Sequence, residues 1–158
     1  MRGNRIVINP DAKGTYEWGY LTTAEKPGTV HQRDASVALK AGKPTYKVYQ
    51  PGADGENPLG GYWVLVENLY EGRDATTAYA IGDFAKFYSP RMGDELNLLL
   101  ANLSGTADDH ALDEKMMLDT GTGKLIATTG TPEDEVAQLL EAVTDPTADQ
   151  LVWVQWAK

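Results

Sequence analysis

The chain has 158 residues, 42% of them hydrophobic and 23% charged, with a formal net charge of −9. That composition excludes a disordered polar chain and predicts one packed domain. Cysteine is absent, which excludes disulfides, thiolate nucleophiles and cysteine-bound metals.

The charge is unevenly placed. Residues 1–50 hold 8 Lys/Arg against 4 Asp/Glu, while residues 51–158 hold 6 against 19. A basic leading third on an acidic body points to two faces with different partners, unless it is simply an uneven solvated surface. Net acidity speaks against a nucleic-acid partner, because phosphate neutralisation needs an extended positive surface. No apolar run is long enough to cross a bilayer, so no membrane partner is expected. "MRGNRIVINPDAKG" is too polar for a secretory leader.

Taken in chain order, the first residues are weak in structure signals. Residues 1–20 are expected to form an extended N-terminal arm and residues 21–158 a single β domain. The run "TYEWGYL" at the end of that arm already has strand composition. "PTYKVYQP", "GYWVLVENL", "DFAKFYSP", "ELNLLLANL", "KMMLD", "KLIATT" and "LVWVQWA" follow, rich in aromatic and β-branched residues. Pro27-Gly28, Pro51-Gly52, Asp54-Gly55, Gly60-Gly61 and Gly121-Thr122-Gly123 punctuate them. Some eight strands at this spacing predict a mainly β fold, an antiparallel sandwich or a small barrel.

One helix at most is expected, near 132–143. Thr131-Pro132-Glu133 is a good helix start, and Val136, Leu139, Leu140 and Val143 follow at helical spacing. The competing reading makes Gln138–Thr144 a strand that turns through Asp145-Pro146 onto Leu151–Trp156. A faint echo relates "KVYQPGADGE" (47–56) to "KFYSPRMGDE" (86–95), and each copy predicts a strand, a turn and a return strand.

"MMLDTGTGKLIATTG" (116–130) offers three chemistries. Asp119-Thr120-Gly121 is the tripeptide of an aspartic protease, which needs two such loops sharing a proton and so would require a homodimer here. Gly123-Lys124 is followed by Leu125, not by the hydroxyl residue of a phosphate loop. Lys115 begins an apolar run, unlike a carrier lysine at a hairpin tip. The simplest reading is a β-hairpin, Met116–Asp119 against Leu125–Thr128, with Asp119 capping its turn. "TADDHALDE" (106–114) gathers carboxylates around His110 but lacks the alternation of a calcium loop, so an exposed acidic loop is expected. No catalytic residue, metal or cofactor is predicted. Trp18, Trp63, Trp153 and Trp156, with eight tyrosines, supply core packing and suit an interface.

The succession "PGTVHQRDAS", "YKVYQPGADGE", "TAYAIGDFAKFYSPRMGDELNLLLA", "MLDTGTGKLIATTGTPEDE" and "LLEAVTDPTADQLVWVQWA" resembles the capsid decoration, or head-stabilising, proteins of tailed bacteriophages. The likeness runs from about Pro27 to the C-terminus. It implies an all-β, non-enzymatic virion protein, made in the host cytoplasm, that binds the outside of the assembled shell. The implied partners are the major capsid protein and other copies of itself, as a homotrimer or else a dimer. The expected contact residues are Arg2, Arg5, Ile6, Lys13, Tyr16 and Trp18 from the arm, with Tyr88, Arg91 and Met92 from "YSPRMGD". A tail or baseplate β-protein, a homodimeric protease using Asp119 and a ligand-binding barrel are the competing readings.

Overall fold

The computed structural model describes residues 5–7, 11–50, 61–68, 74–101, 109–119, 121–128, 135–147 and 149–158. Ten strands appear among them: β1 (Thr15–Leu21), β2 (Val30–Arg33), β3 (Thr45–Val48), β4 (Trp63–Leu65), β5 (Phe84–Ser89), β6 (Glu95–Leu99), β7 (Lys115–Leu118), β8 (Leu125–Ala127), β9 (Ala137–Leu139) and β10 (Leu151–Trp156). The first five close into a barrel of order β1-β3-β2-β4-β5, and the last five form a sheet of order β6-β10-β9-β7-β8. The fold is therefore mainly β, as expected, with ten strands rather than eight and a closed barrel beside a second sheet rather than a sandwich. Within the barrel β1 and β3 run parallel, which no chain of simple hairpins produces.

Alternation explains which faces are buried. In β10, Val152, Val154 and Trp156 point inward, while Trp153 stays half-exposed and donates its indole N–H to Glu95 at 3.1 Å. Inside the barrel Leu21, Tyr46, Trp63, Leu65, Tyr79, Ala85 and Phe87 form their own cluster. Tyr46 stacks on Phe87 with ring centroids 3.9 Å apart, a contact that contributes about 1 kcal/mol beyond its area. The Tyr46 hydroxyl donates to Glu17 at 2.5 Å, and Arg33 pairs with the same carboxylate. Burial first, and the Glu17 carboxylate second, raise the Tyr46 pKa well above the phenol range.

The second cluster spans both sheets, joining Val30, Val64, Val66 and Tyr88 of the barrel side to Leu96, Leu98, Leu125, Val154 and Trp156. Two backbone approaches hold this seam. Gly28 donates its N–H to Leu65 at 2.8 Å and accepts from Leu99 at 3.0 Å, with φ at +92°. At the tip of the β7–β8 hairpin, Gly123 accepts the Val30 N–H at 2.8 Å. The hairpin itself is as predicted, with Met116 opposite Ala127 and Leu118 opposite Leu125.

Three expectations are corrected. No described residue near 132–143 is helical: Val136 to Leu139 instead pair with β7 and β10, with Leu139 opposite Val154 and Ala137 opposite Trp156. The hairpin partner foreseen for the strand alternative is the one adopted. The helical spacing misled because Val136, Ala137 and Leu139 are all buried between two strands. Second, the arm does not reach residue 20. Residues 15–20 lie in β1, which pairs along its length with β5, from Thr15 opposite Ser89 to Tyr20 opposite Phe84. Third, the echoed segments are not two hairpins. β5 and β6 belong to different sheets and β3 and β4 are not neighbours; residues 51–60 lie outside the described set.

Two predictions follow from the seam and the barrel core. An added Cβ at Gly123 would lie 2.2 Å from the Val30 carbonyl oxygen, whereas at Gly121 nothing lies within 4 Å, and both have positive φ. Gly123→Ala is expected to cost more than ~2 kcal/mol and Gly121→Ala only ~1 kcal/mol in urea unfolding. Equal losses would mean that the seam contact is not what Gly123 protects. His31 is fully buried, and burial lowers its pKa from 6.5 to about 3, opposed by the Lys47 backbone. Its Nε2 lies 2.8 Å from Thr29 Oγ1, which itself donates to the Lys26 carbonyl, so Nε2 carries the proton. Between those two pH values the unfolded chain binds a proton that the folded chain refuses. The stability is complete above pH 6.5 and declines as pH falls toward 3, by about 1.4 kcal/mol per unit. Unfolding midpoints from pH 7 down to about 4 should fall less steeply in His31→Gln than in wild type.

Candidate functional site

The two stretches singled out in the sequence, the basic N-terminal segment and "YSPRMGD", are brought side by side by one buried carboxylate. Asp94 closes the turn after β5 by accepting the Arg91 N–H at 2.9 Å, and Gly93 supplies the positive φ that the turn requires. The same carboxylate accepts the Lys13 N–H at 2.9 Å and the Tyr88 hydroxyl at 2.6 Å. The Tyr88 oxygen in turn accepts the Gly14 N–H at 2.7 Å. Burial of Asp94 works to raise its pKa, but the Tyr88, Arg91 and Lys13 donors outweigh it and the value lies below the ordinary one. The acid is therefore a fixed anion that clamps residues 13–14 onto the β5–β6 turn.

Beside this clamp runs the outer face of β1 and β5. Alternation sets Tyr16, Trp18 and Tyr20 outward on β1, opposite Tyr88, Lys86 and Phe84 on β5. Tyr16 packs on Tyr88 at 4.8 Å, Trp18 stacks on Phe84 at 5.4 Å, and Lys86 lies over the Tyr16 ring at 4.2 Å. The Tyr16 hydroxyl is held above the ordinary phenol range, first by burial and then by Glu67, with Arg5 opposing. A cleft of about 230 Å³ opens here, with Arg5, Tyr16, Trp18, Glu67 and Lys86 among its walls.

Six of the nine expected contact residues fall on or beside this face. Arg5, Tyr16 and Trp18 line the cleft, and Lys13, Arg91 and Met92 are exposed around the Asp94 clamp, Met92 at 72%. Two are corrected. Ile6 is fully buried in the shared core, its N–H on Glu67 at 3.1 Å and its carbonyl accepting from Asn97 at 2.8 Å. Tyr88 is also fully buried, roofed by residues 13–14 and facing the second sheet. Both are too apolar and too well packed to reach a partner. Arg2 lies outside the described residues.

Sequence reasoning missed Asp94, Lys86, Phe84 and Glu67. The signal for two of them was available in the period-2 pattern of "DFAKFYS", where Phe84 and Lys86 share a face. The role of Asp94 needed the fold, since its partners Lys13 and Tyr88 come from separate segments.

In the 116–130 stretch, Asp119 has a structural role. Asp119 accepts the Thr122 hydroxyl at 2.6 Å, and its backbone N–H and carbonyl pair with Lys124 and Gly123 across the turn. His110 Nδ1 lies 3.2 Å from Glu114, and among the described residues no three acidic or imidazole groups converge as a metal site would require.

No protein-family model matches the chain, and no curated protein matches its sequence. Among solved structures it is similar to the crystal structure of the head fiber gp8.5 N base of bacteriophage phi29. The two share 9% identity over 91% of this chain and 94% of that one, with a TM-score of 0.55. At that identity the likeness is one of fold, and it spans both the barrel and the second sheet.

The clamp is directly testable. Asp94→Asn keeps the shape but puts an amide N–H₂ where one or two donors converge, and should cost roughly 3 kcal/mol. Amide exchange at Lys13 and Gly14 should rise well before global unfolding in that variant. Unchanged exchange there would mean that the segment is held by other contacts.

Proposed function

We propose that this chain is a structural protein of a tailed-phage virion that attaches to the outer surface of the assembled head. In this reading it bridges coat subunits and has no enzymatic activity. The observation that carries the reading is the full-length fold likeness to a phage head fiber base, joined to the sequence resemblance to head-stabilising proteins. The attachment face is the one built around Asp94. Lys13, Tyr16, Arg91 and Met92 stand out from it; Tyr, Arg and Met are types enriched at interfaces, and a lysine suits their polar rim. Self-association, as a trimer, belongs to the same reading: several weak contacts around a closed ring act together on a symmetric shell.

The test uses purified particles lacking the protein and added full-length chain. Met92→Glu combined with Lys13→Glu should weaken particle binding at least tenfold, since both side chains are exposed and truncating interface anchors commonly costs more than ~1 kcal/mol each. The melting temperature should not change. Retained binding would move the contact elsewhere. Counting the chain against coat protein in native particles by mass spectrometry decides the location: near-stoichiometric copies fit the shell, and a handful fit a tail or baseplate instead.

A further inference from the structure

The connection between β2 and β3 is an exposed finger that touches the barrel through Lys40, whose Nζ lies 4.3 Å from the centroid of the Tyr20 ring. Every residue from Ala35 to Lys43 is exposed. The finger is nonetheless ordered. Lys40 and Lys43 exchange both backbone hydrogen bonds, at 3.0 and 2.9 Å, around Ala41 and Gly42, whose φ angles are +51° and +74°. This is a tight two-residue turn, and its first position is a strained one for alanine. At its base Asp34 accepts the Ser36 N–H at 3.1 Å and the Ser36 hydroxyl at 2.5 Å. Just before this turn stand Val37, 43% exposed, and Leu39, 67% exposed. An ordered segment that presents apolar side chains to solvent beside cations is suited to being received by a partner.

The same chain carries a receiving shape. Where the barrel meets the second sheet a crevice of about 400 Å³ opens, with Lys26, Ala75, Leu99, Glu141 and Thr144 in its walls. An adjoining recess of about 260 Å³ shares Lys26, Leu99 and Asp149 with it and adds Glu25. Its floor is apolar and its rim acidic. Asp149 is balanced by Lys26 at 3.5 Å and by Lys124. Glu25 is less well served: burial raises its pKa, Lys124 opposes this and Asp149 adds to it. A cation brought to this rim from outside would meet a favourable field.

We infer that the Val37–Lys43 finger of one copy seats in the crevice of a second copy, with Leu39 against its apolar residues and Lys43 toward Glu25 and Glu141. The exposure of Leu39 shows that it does not enter the crevice of its own chain. Knob and hole are different surfaces, so the contact joins two copies either reciprocally in a two-fold dimer or head to tail in a ring whose rotation closes. The inference rests on the self-association in the proposed function and needs no capsid.

Light scattering coupled to gel filtration on the full chain, without particles, tests it. Wild type should run as a closed oligomer. Leu39→Asp, which removes the knob, and Thr144→Trp, which fills the hole, should each run as monomers, with circular dichroism and melting temperature unchanged. Mixed in equal amounts, the two should form a one-to-one dimer, because one variant retains the hole and the other the knob. A monomeric wild type, an oligomer that survives either substitution, or a mixture that fails to pair would each overturn the inference. Oligomers that behave as expected here while the Met92→Glu, Lys13→Glu variant keeps full particle binding would leave this inference standing and count against the attachment face.

Discussion

The fold depends on the backbone of residues 28–30, where two sheets must meet without side chains between them. Gly28 bonds to Leu65 on the barrel and to Leu99 on the second sheet, and Val30 takes the carbonyl of Gly123 from the β7–β8 hairpin while giving its own to Tyr49. Four segments distant in sequence thus converge on three residues. A peptide group buried in such a place costs ~1–3 kcal/mol if left unpaired, so each approach must be made completely. That requirement explains why the closest points are glycines, one of them at the tip of the hairpin that carries Asp119. Asp119 and Thr122 shape the turn that delivers Gly123 to Val30.

A second consequence is the fate of the buried polar groups. Asp94 ties the N-terminal segment to the β5–β6 turn, Glu17 gathers Arg33 and Tyr46 at the barrel, and the His31 ring, buried beside Phe87, bonds to Thr29. In each case the charge or dipole holds backbone or closes a core, which is how such groups are accommodated at low dielectric. They specify one arrangement of the two sheets.

Much of this was legible in the sequence because strands buried on one face announce themselves. Eight of the ten strands coincide with the aromatic and branched runs, and the β7–β8 hairpin has the arms expected for it. The two strands that escaped did so for opposite reasons. β2, "VHQR", carries one aliphatic residue, and its inward position is filled by a histidine whose burial no propensity foretells. β9 is only three residues long and is flanked on both edges by β7 and β10, and Val136, Leu139 and Leu140 imitate a helical stripe. Barrel closure was also hidden. The parallel β1–β3 pairing joins residues that have no local relation, and period-2 patterning fixes a face but not a neighbour.

The candidate surface was legible in a weaker sense. Choosing the basic leading segment and "YSPRMGD" separately identified two patches that a single carboxylate unites, because both were picked for exposed cations and rings that a core cannot use. Ile6 and Tyr88 were misjudged for the same physical reason: a hydrophobic residue in a segment taken for an arm looks available, when a neighbouring strand edge has already claimed it. Ile6 fills the core while its backbone extends the second sheet, with Val7 bridged to Leu96. What was read as a loose arm is, from residue 5 to residue 7, the strand edge that seals β6. An unpaired edge invites uncontrolled pairing between copies. Covering this stretch of β6 with the chain's own residues 5–7 therefore removes a nonspecific route to association.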